Sequence, residues 1–224
     1  MLIRRAIRKL MGRRRKPKVF VIGLNHTGTT SMGSYLVNAG LLLAPQRTFE
    51  RMRPDYDAGN WDKLAHEIDK YDAFQDSPFS SVSVPFLDFL QKRYPESKFI
   101  LTRRGTAAEW QATMERLHRK NWYGDVDVIT WKHVKEVNYV HETFIYDALM
   151  RVVKSEAYPP YDPGIWMNRY DRYNHMVRNH FHGAPNFLEI NLADSGSEVT
   201  LQSFLGWKEL LPIPHLNSSK PTEA

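Results

Sequence analysis

Lys18-Val19-Phe20-Val21-Ile22-Gly23-Leu24-Asn25-His26-Thr27-Gly28-Thr29-Thr30-Ser31 is the stretch on which the reading of the fold turns. Residues 19–22 are continuously apolar and mostly β-branched, the pattern of a strand buried on both faces of a parallel sheet. Gly23 ends the run, residues 24–28 make a loop, and residues 29–39 read as a helix stopped by Asn38-Ala39-Gly40. A loop in this place aims successive backbone N–H groups and a helix N-terminus at one point, which is a ready anion site. Thr29, Thr30 and Ser31 add three hydroxyls in the first helical turn. Gly23 and Gly28 match the glycines of G-x-x-x-x-G-K-[ST], but Thr29 stands where that loop has its Lys. Without the Lys the clamp on a β/γ-phosphate is missing, which disfavours a nucleoside triphosphatase.

Outward from this loop, strand and helix patterns alternate. Leu41-Leu42-Leu43-Ala44 is a weak strand pattern, residues 45–60 read as a polar surface loop, and 61–70 as a helix. Ala73-Phe74-Gln75 reads as a short strand ending at Asp76, and 84–93 as a helix closed by Tyr94-Pro95. Lys98-Phe99-Ile100-Leu101-Thr102 is a second buried strand, followed by a helix over about 106–119. Residues 121–158 read as mostly helical. Trp166, Tyr170, Tyr173, Val177 and Phe181 recur at three- and four-residue steps and define one face of a helix over 165–181. A last strand at 186–190 and a short helix at 200–205 complete the set. The alternation predicts an α/β fold: a single three-layer domain with a mainly parallel sheet and a P-loop-type strand–turn–helix at its start.

The 224 residues suit one domain, with 42% apolar and 25% charged residues. Cys is absent, which excludes disulfides and thiolate metal sites and suits a reducing cytoplasm. The formal charge of +6 points toward nucleic acid only until its distribution is read. Residues 1–18 hold nine of the 31 Lys and Arg and no acid, leaving 22 basic against 25 acidic residues in the body. The basicity belongs to an arm over residues 1–17, ahead of a domain over 18–219 and a tail over 220–224. Leu2, Ile3, Ala6, Ile7, Leu10 and Met11 lie at near-helical spacing in that arm. It reads either as a peripheral contact to an anionic membrane, as a solvated arm, or as a mitochondrial-type presequence. No nucleic-acid module is recognisable, and His133 and His141, like His175, His180 and His182, lack clear i,i+4 ligand spacing with carboxylates.

The loop, with His26 two residues before the second Gly, resembles the 5′-phosphosulfate loop of sulfotransferases, which usually carries Lys or Arg at the His26 place. Further elements follow in the family's order. Phe74-Gln75-Asp76-Ser77-Pro78 resembles its short strand with an Asp-x-Pro element. Tyr94-Pro95-Glu96-Ser97-Lys98 through Arg103-Arg104, then Trp110-Gln111-Ala112-Thr113, resembles its 3′-phosphate segment. Tyr170, Asn174, Val177 and Phe181 fit its late helix, and Phe204-Leu205-Gly206-Trp207 with Pro214-His215-Leu216-Asn217 resembles the C-terminal end of a bacterial branch. Roughly residues 18–219 are covered.

That resemblance implies 3′-phosphoadenosine 5′-phosphosulfate (PAPS) as co-substrate, no metal, and transfer of a sulfuryl group to a hydroxyl or amine. It implies Asn25, His26, Thr27, Gly28, Thr29, Thr30 and Ser31 around the 5′-phosphosulfate, with His26 donating as charge grows on the leaving phosphate. Arg103 and Arg104 compete for the 3′-phosphate, because the interval to Thr113 is one residue longer than usual; the family pattern favours Arg104, with Thr113, and Asn217 closing over the nucleotide. Asp76, at a strand end beside the loop, is the candidate general base or, alternatively, a turn cap. Two other classes stay open: a P-loop kinase or NTPase, and a non-catalytic nucleotide-binding descendant in which His26 marks lost activity. The acceptor is open among carbohydrate, lipid, amine and small alcohol, with residues 46–60 and 121–158 expected to shape its pocket.

Overall fold

The computed structural model describes residues 17–214 and Leu216. The basic arm, apart from Pro17, and Asn217 therefore lie outside the described residues. Four parallel strands form one sheet: β1 (Val19–Val21), β2 (Ala73–Phe74), β3 (Lys98–Thr102) and β4 (Phe187–Ile190), in the order β2-β1-β3-β4. The register pairs Phe20 with Phe74 and Phe99, and Ile100 with Leu188.

Because side chains alternate along a strand, β1 sends its residues into two different cores. Phe20 and Ile22 join Phe74, Phe99 and Leu101 on one face, and Val19 and Val21 join Ala73 and Ile100 on the other. The second face is covered by α1 (Thr29–Asn38), through Met32, Tyr35 and Leu36, and by α10 (Ser197–Leu205), through Leu201 and Leu205. The first face is larger and aromatic, with Phe20 stacked on Phe74 at 4.8 Å and Phe99 against Phe181 at 4.8 Å. Helices on both faces of a parallel sheet make the expected three-layer α/β domain.

The first face is built from α2 (Gln46–Arg51), α3 (Arg53–Asp57), α4 (Trp61–Ile68), α5 (Val84–Arg93), α6 (Ala107–His118), α7 (Trp131–Lys135), α8 (Phe144–Val153) and α9 (Pro163–His180). Two start signals are explicit. Thr106 and Glu109 form a reciprocal capping box for α6, and Asp162 accepts from the Ile165 N–H ahead of Pro163 at the start of α9.

Two expectations are corrected. Residues 45–60 are not a polar surface loop but the two short helices α2 and α3, which bury Phe49 and Tyr56 in the aromatic core. Residues 121–158 are only partly helical; a π-helical turn over Arg119–Tyr123 enters the region, α7 and α8 are short, and bends, turns and irregular chain connect them. Leu43, in the weak strand pattern, makes an isolated parallel bridge to Ala73.

The strand order places the site. The chain runs from β1 to β2 on one side, then crosses to β3 on the other, so the order reverses between β1 and β3. A crevice opens outside the carboxyl ends of strands at such a switch point. Gly23, just after β1, packs so tightly against β3 that an added Cβ would lie 2.3 Å from the Thr102 carbonyl oxygen. Among the described residues no helix is long and apolar enough to cross a membrane.

Candidate active site

A cleft of about 1080 Å³ lies over the carboxyl ends of β1, β2 and β3. Asn25, His26, Gly28, Thr29 and Thr30 from the loop, Asp76 from the end of β2 and Arg104 from beyond β3 all line it. Gly28 is needed for its backbone: its φ of 99° is left-handed, and it caps α1.

The side chains of the loop divide into builders and free groups. Thr27 is buried, donating its hydroxyl to the Leu24 carbonyl at 2.6 Å and sharing a hydrogen bond with the Thr102 hydroxyl at 2.7 Å. Trp110 Nε1 donates to the Asn25 carbonyl at 2.7 Å, and Tyr173 donates to the Ile22 carbonyl at 2.5 Å. Ser31 accepts from the Leu216 N–H at 3.1 Å, so its hydroxyl ties the C-terminal segment to α1. Thr27 and Ser31 are thus structural in their side chains, and neither lines the cleft. Thr29 and Thr30 do.

Asp76 is buried, and its carboxylate accepts from the Thr29 hydroxyl at 2.9 Å. The group bonded to the following turn is its backbone carbonyl, which takes the Ser80 N–H at 2.8 Å. The carboxylate therefore faces the loop rather than capping the turn. Burial, with the Glu50 charge adding to it and the Thr29 hydrogen bond opposing, pushes the Asp76 carboxyl up to about 6. Such a value leaves a carboxylate ionised at neutral pH yet basic enough to take a proton.

Arg104 and Arg103 separate cleanly. Arg103 Nε is 2.9 Å from the Glu189 carboxylate, itself also bound by Arg178. Arg104 lines the cleft; its Nε donates to the His26 carbonyl at 3.0 Å, and its backbone N–H and carbonyl are both held by the Tyr170 hydroxyl. Among the described residues its two terminal nitrogens carry no hydrogen bond. Thr113 is a different matter. It is buried on α6, and the face of α6 toward the cleft is Trp110, Met114, Leu117 and His118. The structure does not bring Thr113 to the cleft beside Arg104.

His26 Nε2 lies 2.8 Å from His118 Nε2, and His118 Nδ1 lies 2.8 Å from the Tyr161 hydroxyl, which meets the Tyr123 hydroxyl at 3.1 Å. Burial, then the charges of Arg104 and Arg116, holds His26 down to about 4. Burial and His26 hold His118 well below the ordinary histidine value. Both rings are neutral at pH 7, so one proton sits between them. If Tyr161 donates to His118, then His118 donates to His26, whose own proton is on Nδ1, the nitrogen left for a ligand. If the chain runs the other way, His26 Nδ1 presents a lone pair. His118, Tyr161 and Tyr123 had no signal in the sequence, since nothing in local spacing pairs residues 92 apart.

Backbone strain marks the same two candidates. Among the described residues the non-glycine positions with positive φ are His26 (68°), Asp76 (59°) and Lys154 (68°). Such conformations cost on the order of 1–3 kcal/mol each and cluster at functional sites. Among the described residues no group of three or more His, Cys, Asp or Glu is placed to hold a metal ion.

No match to a curated protein was found. The model of a sulfotransferase domain matches residues 18–222, from the first residue before β1 to the C-terminal segment. The match spans the loop, Asp76 and Arg104 alike, and the chain belongs to this sulfotransferase family.

Proposed function

We propose that the protein transfers the sulfuryl group of PAPS to a hydroxyl or amine acceptor bound in the cleft. The observation that carries this reading is the convergence of three elements at the switch point: the loop after β1, Asp76 hydrogen-bonded to Thr29, and the unpaired end of Arg104. The loop amides, that of Thr29 included, and the Thr30 hydroxyl hold the 5′-phosphosulfate while the Thr29 hydroxyl stays on Asp76, and Arg104 reads the 3′-phosphate by a charged fork. The acceptor oxygen or nitrogen attacks sulfur in line, the bond from sulfur to the 5′-phosphate oxygen breaks, and Asp76 takes the acceptor's proton. The leaving product is adenosine 3′,5′-bisphosphate. His26 meets the growing charge on that phosphate through Nδ1–H; the anionic donor, once bound, raises its pKa and favours the charged ring.

Calorimetric titration with adenosine 3′,5′-bisphosphate, against ADP as control, tests the donor. Tight binding of the bisphosphate alone, lost in Arg104→Ala, is the expected result. Equal binding of both, or preference for ADP with Mg²⁺, would instead indicate an NTPase-like site. Bisphosphate binding with no turnover on a broad acceptor panel would indicate a non-catalytic descendant.

A further inference from the structure

The cleft has a second basic group away from the loop. Arg53 on α3, Arg151 on α8, Lys154 just after α8, and Arg169 and Arg172 on α9 all line it. One carboxylate, Asp57, is shared by Arg53 at 2.8 Å and Arg151 at 3.2 Å. Among the described residues no carboxylate lies within ion-pair distance of Lys154, Arg169 or Arg172. Arg169 instead donates to the Ser81 hydroxyl at 2.6 Å and lies 5.3 Å over the Tyr173 ring.

Ordinary surface arginines reduce their repulsion by spreading into water. Arg169 does not. Burial, and then the charges of Arg53 and Arg172, pull its pKa down. Arg151 is pulled down likewise, by burial and then Arg53. Arg53 and Arg172 repel Arg169, and Arg53 repels Arg151, in one cleft wall, an arrangement that a bound anion relieves.

This group is distinct from the arginine of the donor site. The charges acting on Arg104 are those of Arg116 and Glu109, whereas those acting on Arg169 are those of Arg53 and Arg172. The walls differ too: Arg169 is bonded to the segment after β2, while Arg104 is bonded to the loop after β1 and to Tyr170.

We infer that Arg53, Arg151, Lys154, Arg169 and Arg172 bind an anionic group of the acceptor, so that the acceptor carries a carboxylate, sulfate or phosphate apart from its nucleophilic hydroxyl or amine. This assignment rests on the sulfuryl-transfer reading of the same cleft. A planar guanidinium fork matches each of those anions in two-point contact. The recognition is of charge and shape at a distance from the reacting atom, which leaves the carbon skeleton of the acceptor free to vary.

The test begins with protein saturated with adenosine 3′,5′-bisphosphate, so that the loop is occupied. Inorganic sulfate is titrated at constant ionic strength while tryptophan fluorescence is followed, Trp122 and Trp166 both lining the cleft. The same protein is then titrated with 4-hydroxyphenylacetate and with its neutral twin 4-hydroxyphenylethanol. Expected is saturable sulfate binding, and a preference of at least tenfold for the anionic twin. Both effects fall at least tenfold in Arg169→Gln and in Arg172→Gln, with bisphosphate affinity unchanged, and Arg169→Lys recovers part of them. Arg172 is exposed, so its variant decides the matter if Arg169→Gln does not fold. Indistinguishable twins, sulfate binding that survives both variants, or a fall in bisphosphate affinity in Arg169→Gln would each overturn the inference. Failure of the bisphosphate to bind wild-type protein would overturn the donor reading instead, and the sulfate titration of free protein would still decide whether the basic wall is an anion site.

Discussion

Lowering the pH from 7 to 5 sets the two candidate catalytic groups against each other, and single substitutions separate them. His26 has its ordinary value of 6.5 in the unfolded chain and about 4 in the folded protein. As pH falls below 6.5 the unfolded state takes up a proton that the folded state refuses, so stability is lost. The loss amounts to about 2 kcal/mol by pH 5. His118, also depressed, adds a loss of the same sign. Asp76 runs the other way. Raised from 3.8 to about 6, it takes its proton in the folded state first, and this contributes about 1 kcal/mol of stability as pH falls to 5.

The difference between wild type and Asp76→Asn reports Asp76, while that for His26→Asn reports the coupled His26–His118 pair, since His26 helps to depress His118. His26→Asn suits the purpose, because Asn tolerates the left-handed φ of 68° and cannot titrate. Urea unfolding at pH 7, 6 and 5 measures the change. His26→Asn should lose about 2 kcal/mol less than wild type between pH 7 and 5, and Asp76→Asn about 1 kcal/mol more. Wild type and His26→Asn losing stability in parallel would refute the claim that His26 is held neutral against His118. A bound adenosine 3′,5′-bisphosphate should flatten the wild-type loss, since its phosphates favour the charged ring.

Two more outcomes follow from the geometry. Asp76→Asn should keep bisphosphate binding, measured by calorimetry, while steady-state turnover falls by about 10²–10⁴; turnover near the wild-type rate would remove Asp76 as the base. Gly23→Ala would drive a Cβ into the Thr102 backbone of β3 and should lower stability by about 1–3 kcal/mol in urea unfolding; an unchanged midpoint would mean that β1 and β3 can part at that point.

Where local pattern and tertiary environment agree, the sequence was legible. The strand at Lys98–Thr102 and the helix at Val84–Arg93 fall where periodicity and punctuation place them. The positions of Gly23, Asp76 and Arg104 were readable because each sits just past a strand end, and that of Gly28 because it opens α1. The region of α2 and α3 was not readable. Its charges look like those of a solvated loop, yet Glu50 is buried, accepting from Gln46 at 2.7 Å and from the Tyr139 hydroxyl at 3.3 Å. Its polarity belongs to the cleft, and only a distant aromatic could show that. Thr113 lies three residues after Trp110 and four before Leu117, both of which line the cleft, while its own side chain is buried on α6.

His26 stands where the sulfotransferase resemblance puts Lys or Arg, and its surroundings give that difference a physical reading. A lysine would bring a permanent charge to the loop, beside Arg104 and Arg116, whose charges already depress His26. The imidazole avoids that repulsion in the free protein by remaining neutral. His118 then holds the ring by Nε2, which leaves Nδ1 outside that contact. On the proposed reading the positive charge arises only when an anion arrives to stabilise it. On that reading the loop is neutral at His26 when empty and cationic when the donor is bound, so the charge serves the bound donor and not the empty site. Replacing His26 by Lys would restore the permanent charge but lose the contact with His118, and its effect on donor affinity and on turnover need not have the same sign.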